Sequence, residues 1–508
     1  MAMDVDDLPP ATNSTPSLTE DLRHDTPRFA DLSAHFLHPL LTQAITDDLR
    51  FQHMMPVQAA TLWELLPPNR RDCLVQAKTG TGKTVAFLLP ALQTMVSQKS
   101  PASSTVSLLV VSPTRELALQ IAQEATRLLQ RLPNYRVCTA IGGTNRDKEK
   151  IQILNGCDVL VATPGRLVDH MSNEHISNAF GQLDTLVLDE ADTLLDMGFM
   201  PTLREIVRNL PSKERAPRQS MLFSATVMPH VSQVAGLVLS PGYKSISTIP
   251  TGATNTHEHV AQMLIKVPTF ASVLAGMVSS VVDEATKHEN YKAIVFAPTA
   301  ALAGFYGHIL SMVPGLPQIS SLQSRMRQNK RTRISNKFRI ASSAILVATD
   351  LVARGMDFPG VTTVFQIGIP LDKQSYVHRL GRTGRANAEG RGIFLICEAE
   401  SFFPNSALNQ TRFIPHEASM ASGEEVHHIA ERMDEKEKIR IYKSWLAYYR
   451  LHLRGLGWGK EELVSEANRY AADGLGSRET PPIPQSIVQN LGLTGTKGLN
   501  VVPDKYPS

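Results

Sequence analysis

An octapeptide, AKTGTGKT at 77–84, leaves few folds open to this chain. It stands between DCLVQ, a short strand-like run, and VAFLLPALQTMV, which is apolar at helical spacing. A glycine-bearing turn from strand into helix lets backbone N–H groups wrap a polyphosphate at the positive end of the helix. In that reading Gly80 and Gly82 permit close approach of the backbone. Lys83 reaches the β- and γ-phosphates, and the Thr84 hydroxyl is a magnesium ligand. The usual first glycine of such a loop is here Ala77.

A phosphate loop asks for a metal site, and residues 187–192, VLDEAD, supply a candidate. An apolar run ends there in Asp189, Glu190 and Asp192, with no lysine or arginine beside them. Like charges so close repel, and desolvation adds to the cost, unless a cation is present. The plainer alternative is a solvated strand end whose acids sit at a helix N-terminus. Together with the phosphate loop the pattern reads as ATP and Mg2+ chemistry: Asp189 holds the metal, mostly through water, and Glu190 polarises the attacking water.

The surroundings repeat one theme. From 26 to 240 short aliphatic runs (SLLVVSP, DVLVAT, TLVLDE, SMLFSAT) alternate with helical patterns, which predicts a parallel sheet covered by helices. Residues 241–258, rich in glycine, proline, serine and threonine, read as a linker. The alternation resumes over 259–405 (KAIVFAPT, SAILVATD, TTVFQIGIP, GRGIFLIC) without a second phosphate loop. Residues 415–508 are mostly helical in pattern, and the polar, proline-bearing 1–25 are expected to be disordered. The fold class is therefore α/β, two tandem parallel-sheet domains with a helical C-terminal extension.

Composition excludes little. At 42% hydrophobic and 19% charged the chain is ordinary globular protein, and a net charge of +3 gives no bulk evidence for nucleic acid. Cys73, Cys138, Cys157 and Cys397 form no C-x-x-C, which fits a reducing compartment and no zinc site. No apolar run is long enough for a transmembrane helix, so no membrane partner is expected. The first 24 residues hold five acids against one arginine, the reverse of a transit peptide.

Further motifs follow at strand ends: PTRELA (113–118), GG (142–143), TPGR (163–166), SAT (224–226), ATDLVARGMD (348–357) and HRLGRTGR (378–385). In order and spacing they resemble the DEAD-box RNA helicases of superfamily two, over roughly residues 29–400. That family's phosphate loop commonly reads AxTGxGKT, which accounts for Ala77. The resemblance implies two RecA-like domains closing on ATP and single-stranded RNA. By position it implies that Gln58 reads the adenine edge, that Phe51 shapes its pocket and that Phe29 stacks on it. Thr79 and Thr81 complete the phosphate loop. Ser224 and Thr226 would couple nucleotide state to closure, and Asp357 would contact the ribose. His378 belongs to the catalytic loop, with Arg382 and Arg385 as arginine fingers. RNA phosphates would meet Thr114, Arg115, Gly142, Gly143, Thr163, Gly165, Arg166, Gln328, Arg331, Thr349 and Arg354.

Two basic regions bear on RNA. RMRQNKRTRISNKFR (325–339) has seven basic residues and no acid; by itself such a run is as readily a solvated helix face. In IRIYKSWLAYYR, Ile441, Trp445, Tyr448 and Tyr449 share one helical face and read as core, leaving Lys438, Lys443, Arg450 and Arg454 as RNA candidates. LVSEANRYAADGLG and PPIPQSIVQNLGLTGTKGL resemble the extension of the fungal mitochondrial intron-splicing DEAD-box helicases and their plant relatives. In that group the extension widens the RNA groove.

The expected function is an RNA-dependent ATPase that separates short duplexes in single-stranded and structured RNA, acting as a monomer and an RNA chaperone. The alternatives are an ATP-gated RNA clamp within a larger complex, and a DNA-directed translocase. The resemblance suggests the mitochondrial matrix; with no presequence in the sequence, cytoplasm or nucleus are the alternatives.

Overall fold

A computed structural model describes residues 27–32, 36–78, 80–98, 105–226, 229–249, 260–323, 326–350, 356, 358–384 and 389–504. The expectation of disorder for residues 1–25 lies outside them. The first unit holds strands β1 (Cys73–Gln76), β2 (Leu108–Val111), β3 (Val137–Ala140), β4 (Val159–Ala162), β5 (Thr185–Leu188), β6 (Gln219–Ser224) and β7 (Lys244–Ser247). They form one sheet in the order β3-β4-β2-β5-β6-β1-β7. Every pairing in it is parallel. β2, β4 and β5 are buried along their whole length, as continuous aliphatic runs in a doubly covered parallel sheet must be.

The second unit contributes β8 (Ala261–Val267), β9 (Lys292–Phe296), β10 (Ile319–Leu322), β11 (Ala344–Ala348), β12 (Thr363–Ile367), β13 (Arg391–Cys397) and β14 (Ile414–His416). Its order is β10-β11-β9-β12-β13-β8-β14. Adding seven to each strand number of the first sheet reproduces the second, so the two units are one topology used twice.

That correspondence explains two differences from the boundaries read in the sequence. β7 lies inside the segment taken as a linker from 241, and pairs with β1 from Cys73↔Lys244 to Gln76↔Ser247. β14 lies past 405 and pairs with β8. They are the same edge strand of each unit. At an edge only one neighbour and little core are available, so β7 is largely exposed and β14 wholly so. Neither leaves an apolar run to be read.

The C-terminal segment carries helices Gly423–Glu431, Glu435–Tyr449, Lys460–Arg469 and Gln485–Asn490, with a small parallel pair, β15 (Pro482–Pro484) and β16 (Asn500–Val502). It shares its core with the second sheet unit. The Phe270 ring, between β8 and the helix Ser272–Ala285, meets Trp445 at 5.1 Å, Tyr449 at 4.9 Å and Trp458 at 5.9 Å, all edge-on. The stripe Ile441, Trp445, Tyr448 and Tyr449 is buried, as its spacing predicts. Lys438 is a correction: it is only 2% exposed, and its Nζ donates to Glu431 O (2.8 Å), Glu435 Oε1 (2.9 Å) and Gly476 O (3.2 Å). A lysine one turn from a buried stripe follows that stripe inward when carbonyls are there to receive it. Lys443 is half-buried, and Arg450 and Arg454 are exposed.

Candidate active site

The C-terminal ends of the first sheet's strands all open on one side, the edge where parallel α/β sheets hold ligands. β1 runs into the phosphate loop, which turns through Gly80 (φ 78°) and Gly82 (φ 87°) into the helix Lys83–Gln98. A Cβ on Gly82 would lie 2.5 Å from Gln58 Nε2, so that position takes no side chain without moving its neighbour. Gln58 Nε2 donates to Gly82 O at 3.1 Å while its Oε1 accepts from Met55 N at 2.7 Å, fastening the helix Pro56–Leu65 to the loop. Lys83 is buried and its Nζ donates to Ala77 O (3.1 Å); Thr81 Oγ1 donates to Lys78 O (2.8 Å). Thr84 follows in the first turn of the helix and is half-buried.

β5 delivers the acids. Asp189 Oδ1 accepts from Glu190 N (3.0 Å), and Glu190 sits in the left-handed region (φ 49°, ψ 55°) as the N-cap of Ala191–Asp196. For a residue with a Cβ that conformation is strained, and it persists only where the surroundings impose it. Burial lifts the Asp189 carboxyl to about 7; the Lys83 ammonium pulls it down, and Glu190 and Asp192 push it further up. Asp192 does something sequence reasoning missed. Its Oδ2 accepts from Ala225 N (3.1 Å), Thr226 N (3.0 Å) and Thr226 Oγ1 (3.1 Å). Ser224 Oγ donates to Thr226 O (2.6 Å), and Ser224 O accepts from Ala77 N (3.1 Å). The SAT backbone therefore touches both the acid loop and the phosphate loop.

Among the described residues no three His, Cys, Asp or Glu side chains are placed to hold a metal ion. Magnesium bound as its nucleotide complex needs no such cage, since it keeps several waters and takes one or two carboxylates with phosphate oxygens. A buried carboxylate with a raised pKa beside Lys83, and the hydroxyl of Thr84 at the loop's end, fit that donor set.

The aromatic residues differ from expectation. Phe51 is 43% exposed, but Phe29 is 1% exposed, enclosed in the first unit's core with Phe29 N donating to Gln52 O (3.1 Å). The Phe29 ring therefore presents no open face in this structure, and the expected stacking on a base is not among its contacts; its backbone bond ties it to the loop carrying Phe51.

The neighbouring loops form a second surface. Thr114 caps the helix Arg115–Leu128, its Oγ1 accepting from Leu117 N (3.2 Å). The Arg115 guanidinium lies over the glycine pair: a Cβ on Gly142 would be 2.9 Å from Nη2, and one on Gly143 (φ 84°) 2.6 Å from Nη1. Thr163 precedes the helix Pro164–Met171, and Gly165 is exposed with open space beside it. Gln328 and Arg331 come from the second unit, on the helix Gln328–Ile340, and reach across to Glu116 of PTRELA. Gln328 Nε2 donates to Glu116 Oε1 at 3.1 Å, and Arg331 Nη2 lies 2.5 Å from Oε2, all three side chains being buried. The open cations of that helix are instead Lys330, Arg333 and Lys337. Thr349 follows β11 and is half-buried.

In the catalytic loop, His378 and Arg382 are buried. Arg382 Nε donates to His378 O (3.2 Å) and Nη1 to Met356 O. The guanidinium is thus held by its own domain's carbonyls. Arg379, a third arginine of the loop, pairs with Asp350 through Nε (2.5 Å) and Nη2 (2.8 Å) and is wholly buried. Thr79, Arg354, Asp357 and Arg385 lie outside the described residues.

Two linked parallel-sheet units of identical topology, one bearing a phosphate loop and a carboxylate pair, define a tandem RecA-like nucleoside-triphosphatase. Residues 55–234 match the DEAD/DEAH box helicase family and residues 276–387 the helicase conserved C-terminal domain. The chain is 42% identical over 469 residues to the mitochondrial ATP-dependent RNA helicase MSS116 of Phaeosphaeria nodorum, covering 90% of this chain and 84% of that one. To DEAD-box ATP-dependent RNA helicase 26 of Oryza sativa subsp. japonica it is 39% identical, over 91% of this chain and 85% of the relative. The solved structure of Mss116p bound to ssRNA and AMP-PNP superposes with a TM-score of 0.82 at 30% identity, covering 95% of this chain and 98% of that one. The chain belongs to the DEAD-box family of ATP-dependent RNA helicases. Its fold is the expected one, two RecA-like domains with a helical extension, and it is an RNA-dependent ATPase that uses ATP and binds RNA.

Proposed function

We propose that this helicase acts as an RNA chaperone, coupling ATP binding and hydrolysis to local, sequence-tolerant separation of short duplexes. The supporting observation is a chain of contacts: phosphate loop to SAT through Ala77 N and Ser224 O, SAT to Asp192 of the acid loop, that loop to the end of β2 through Asp189 N and Val111 O (3.0 Å), along the backbone from there to Glu116, and from Glu116 across the cleft to Gln328 and Arg331. Nucleotide at one end of that path is able to bias the grip of the two domains on a strand at the other.

In this reading Lys83 and the loop 77–84 hold the phosphates, and Thr84 and Asp189 hold Mg2+, whose charge would stabilise the transferring phosphoryl group. Glu190 orients and deprotonates water, and Asp192 reports through Thr226. Arg382 acts as a finger only after exchanging Met356 O and His378 O for phosphate oxygens, with Arg385 beside it; removing such a finger typically costs roughly 10³–10⁵ in rate. Contacts to phosphate and sugar carry no base information, which suits a chaperone. The mitochondrial name of the fungal relatives favours the mitochondrial matrix, and we propose a monomer as the working assembly. No helix of the described residues is long and apolar enough to cross a membrane.

The test is displacement of a short duplex with ATPase measured beside it, on RNA and on single-stranded DNA. Multiple turnover with strand release, stimulated by RNA and not DNA, is expected, because only RNA offers the 2′-OH. A single slow turnover without strand release would favour the clamp.

A further inference from the structure

Glu149 is a buried carboxylate that no step of the ATPase uses, yet it holds four partners on the RNA-facing side. It lies on the helix Arg146–Leu154, which follows the glycine pair. Its Oε1 accepts from Ile141 N (3.2 Å), just before Gly142, and from Thr144 Oγ1, just after Gly143. Its Oε2 meets Arg166 Nη1 at 2.9 Å and His170 Nε2 at 2.8 Å. Arg166 and His170 stand one turn apart on the helix Pro164–Met171, so a single carboxylate serves both. Arg166 Nη2 also donates to Thr144 O (3.4 Å), and Arg146 pairs with Asp169 at 3.1 Å. Burial alone would lift the pKa of Glu149; the bonds from His170, Thr144 and Ile141 and the Arg166 charge bring it below the ordinary value.

We propose that Glu149 is a positioning residue that locks the glycine-pair loop and the TPGR loop into one rigid RNA-binding surface, with Arg166 as its brace rather than as a phosphate ligand. The inference rests on the RNA reading above and alters the role the family resemblance gives Arg166. The Arg166 side chain is only 14% exposed and Glu149 6%, and the guanidinium is spent on Glu149, on the Thr144 carbonyl and, at 4.0 Å, on Asp169 Oδ2. What such a brace supplies is spacing between backbone groups, and preorganised groups bind better because less ordering is left to do.

The two roles separate in a salt titration. A phosphate ligand contributes roughly 0.7 to the slope of log affinity against log salt on a single strand. A brace contributes nothing to that slope. Glu149→Gln keeps an acceptor for Ile141 N but turns an amide toward Arg166, and Arg166→Gln removes the brace from the other side. Each variant is expected to weaken RNA binding by roughly tenfold, the scale of a lost charge-assisted hydrogen bond, with the salt slope of the wild type. Combined, they should cost little more than either alone. Should Glu149→Gln fail to fold, Thr144→Val, which removes one hydroxyl contact, must weaken binding with the same unchanged slope. Tighter binding with a steeper slope in Glu149→Gln would mean a freed Arg166 seeks phosphate, overturning the proposal. Additive losses, or a flatter slope in Arg166→Gln, overturn it as well. If the wild-type chain itself bound no RNA, the functional reading and not the brace would be at fault.

Discussion

Glu190 and Asp189 are adjacent carboxylates in unlike settings, and the difference makes separate predictions. Glu190→Gln is expected to leave ATP and RNA binding near normal while hydrolysis falls by roughly 10²–10⁴, the range for loss of a general base. Single-turnover hydrolysis beside nucleotide titration checks this; near-normal turnover would remove Glu190 from that role. Asp189, lifted to about 7 by burial, binds its proton in the folded state over a range where the unfolded chain has released it. Between the ordinary carboxylate pKa and about 7, stability therefore falls as pH rises, and it levels off above that window. Asp189→Asn should abolish this slope and melt higher than wild type near pH 8, while weakening the magnesium–nucleotide complex. Melting curves across pH with no nucleotide present test the first half, and magnesium-dependent nucleotide titrations the second.

At the scale of elements, the helix Glu435–Tyr449 has an inner and an outer face with separable consequences. Trp445, 2% exposed and stacked on Tyr470 at 5.6 Å, should cost about 3–5 kcal/mol on truncation to alanine, read as a lower melting temperature. Lys443 on that helix, with Arg450 and Arg454 in the turns that follow its end, remain as the groove candidates once Lys438 is found buried. Neutralising all three should flatten the salt slope of RNA binding by roughly 2, at 0.7 per contact, with stability unchanged. An unchanged slope would reduce the extension to a cap on the second domain. The inner stripe was legible from helical periodicity; Lys438 was not, because periodicity ranks residues by hydrophobicity and is blind to carbonyls brought in from Glu431 and Gly476.

For the whole molecule, the cleft is the functional unit. Arg382→Ala should remove hydrolysis while the chain still binds nucleotide through the first domain; hydrolysis at the wild-type rate would end the finger role. Glu116→Ala leaves Arg331 without its acid, and an uncompensated buried charge costs on the order of 3–5 kcal/mol. Separating the domains is the cheaper response, so the radius of gyration should rise and RNA-stimulated ATPase fall. Small-angle scattering at an unchanged radius would show that Glu116 does not hold the cleft.

What the amino-acid sequence determined by itself is chemistry written locally: the loop 77–84, the acids at 189–192, the strand-end motifs and the doubled alternation that predicts two parallel sheets. Each rests on neighbours within one turn or one strand, where composition and spacing dictate geometry. Only the tertiary structure decided which charges are working surface and which are internal. Glu116 meets Gln328 across 212 positions, Glu149 gathers two loops, and Phe29, Lys438 and Arg379 turn inward. A charged side chain reads as solvated until its partner is known, and those partners are set by how the sheets, loops and domains come together in space.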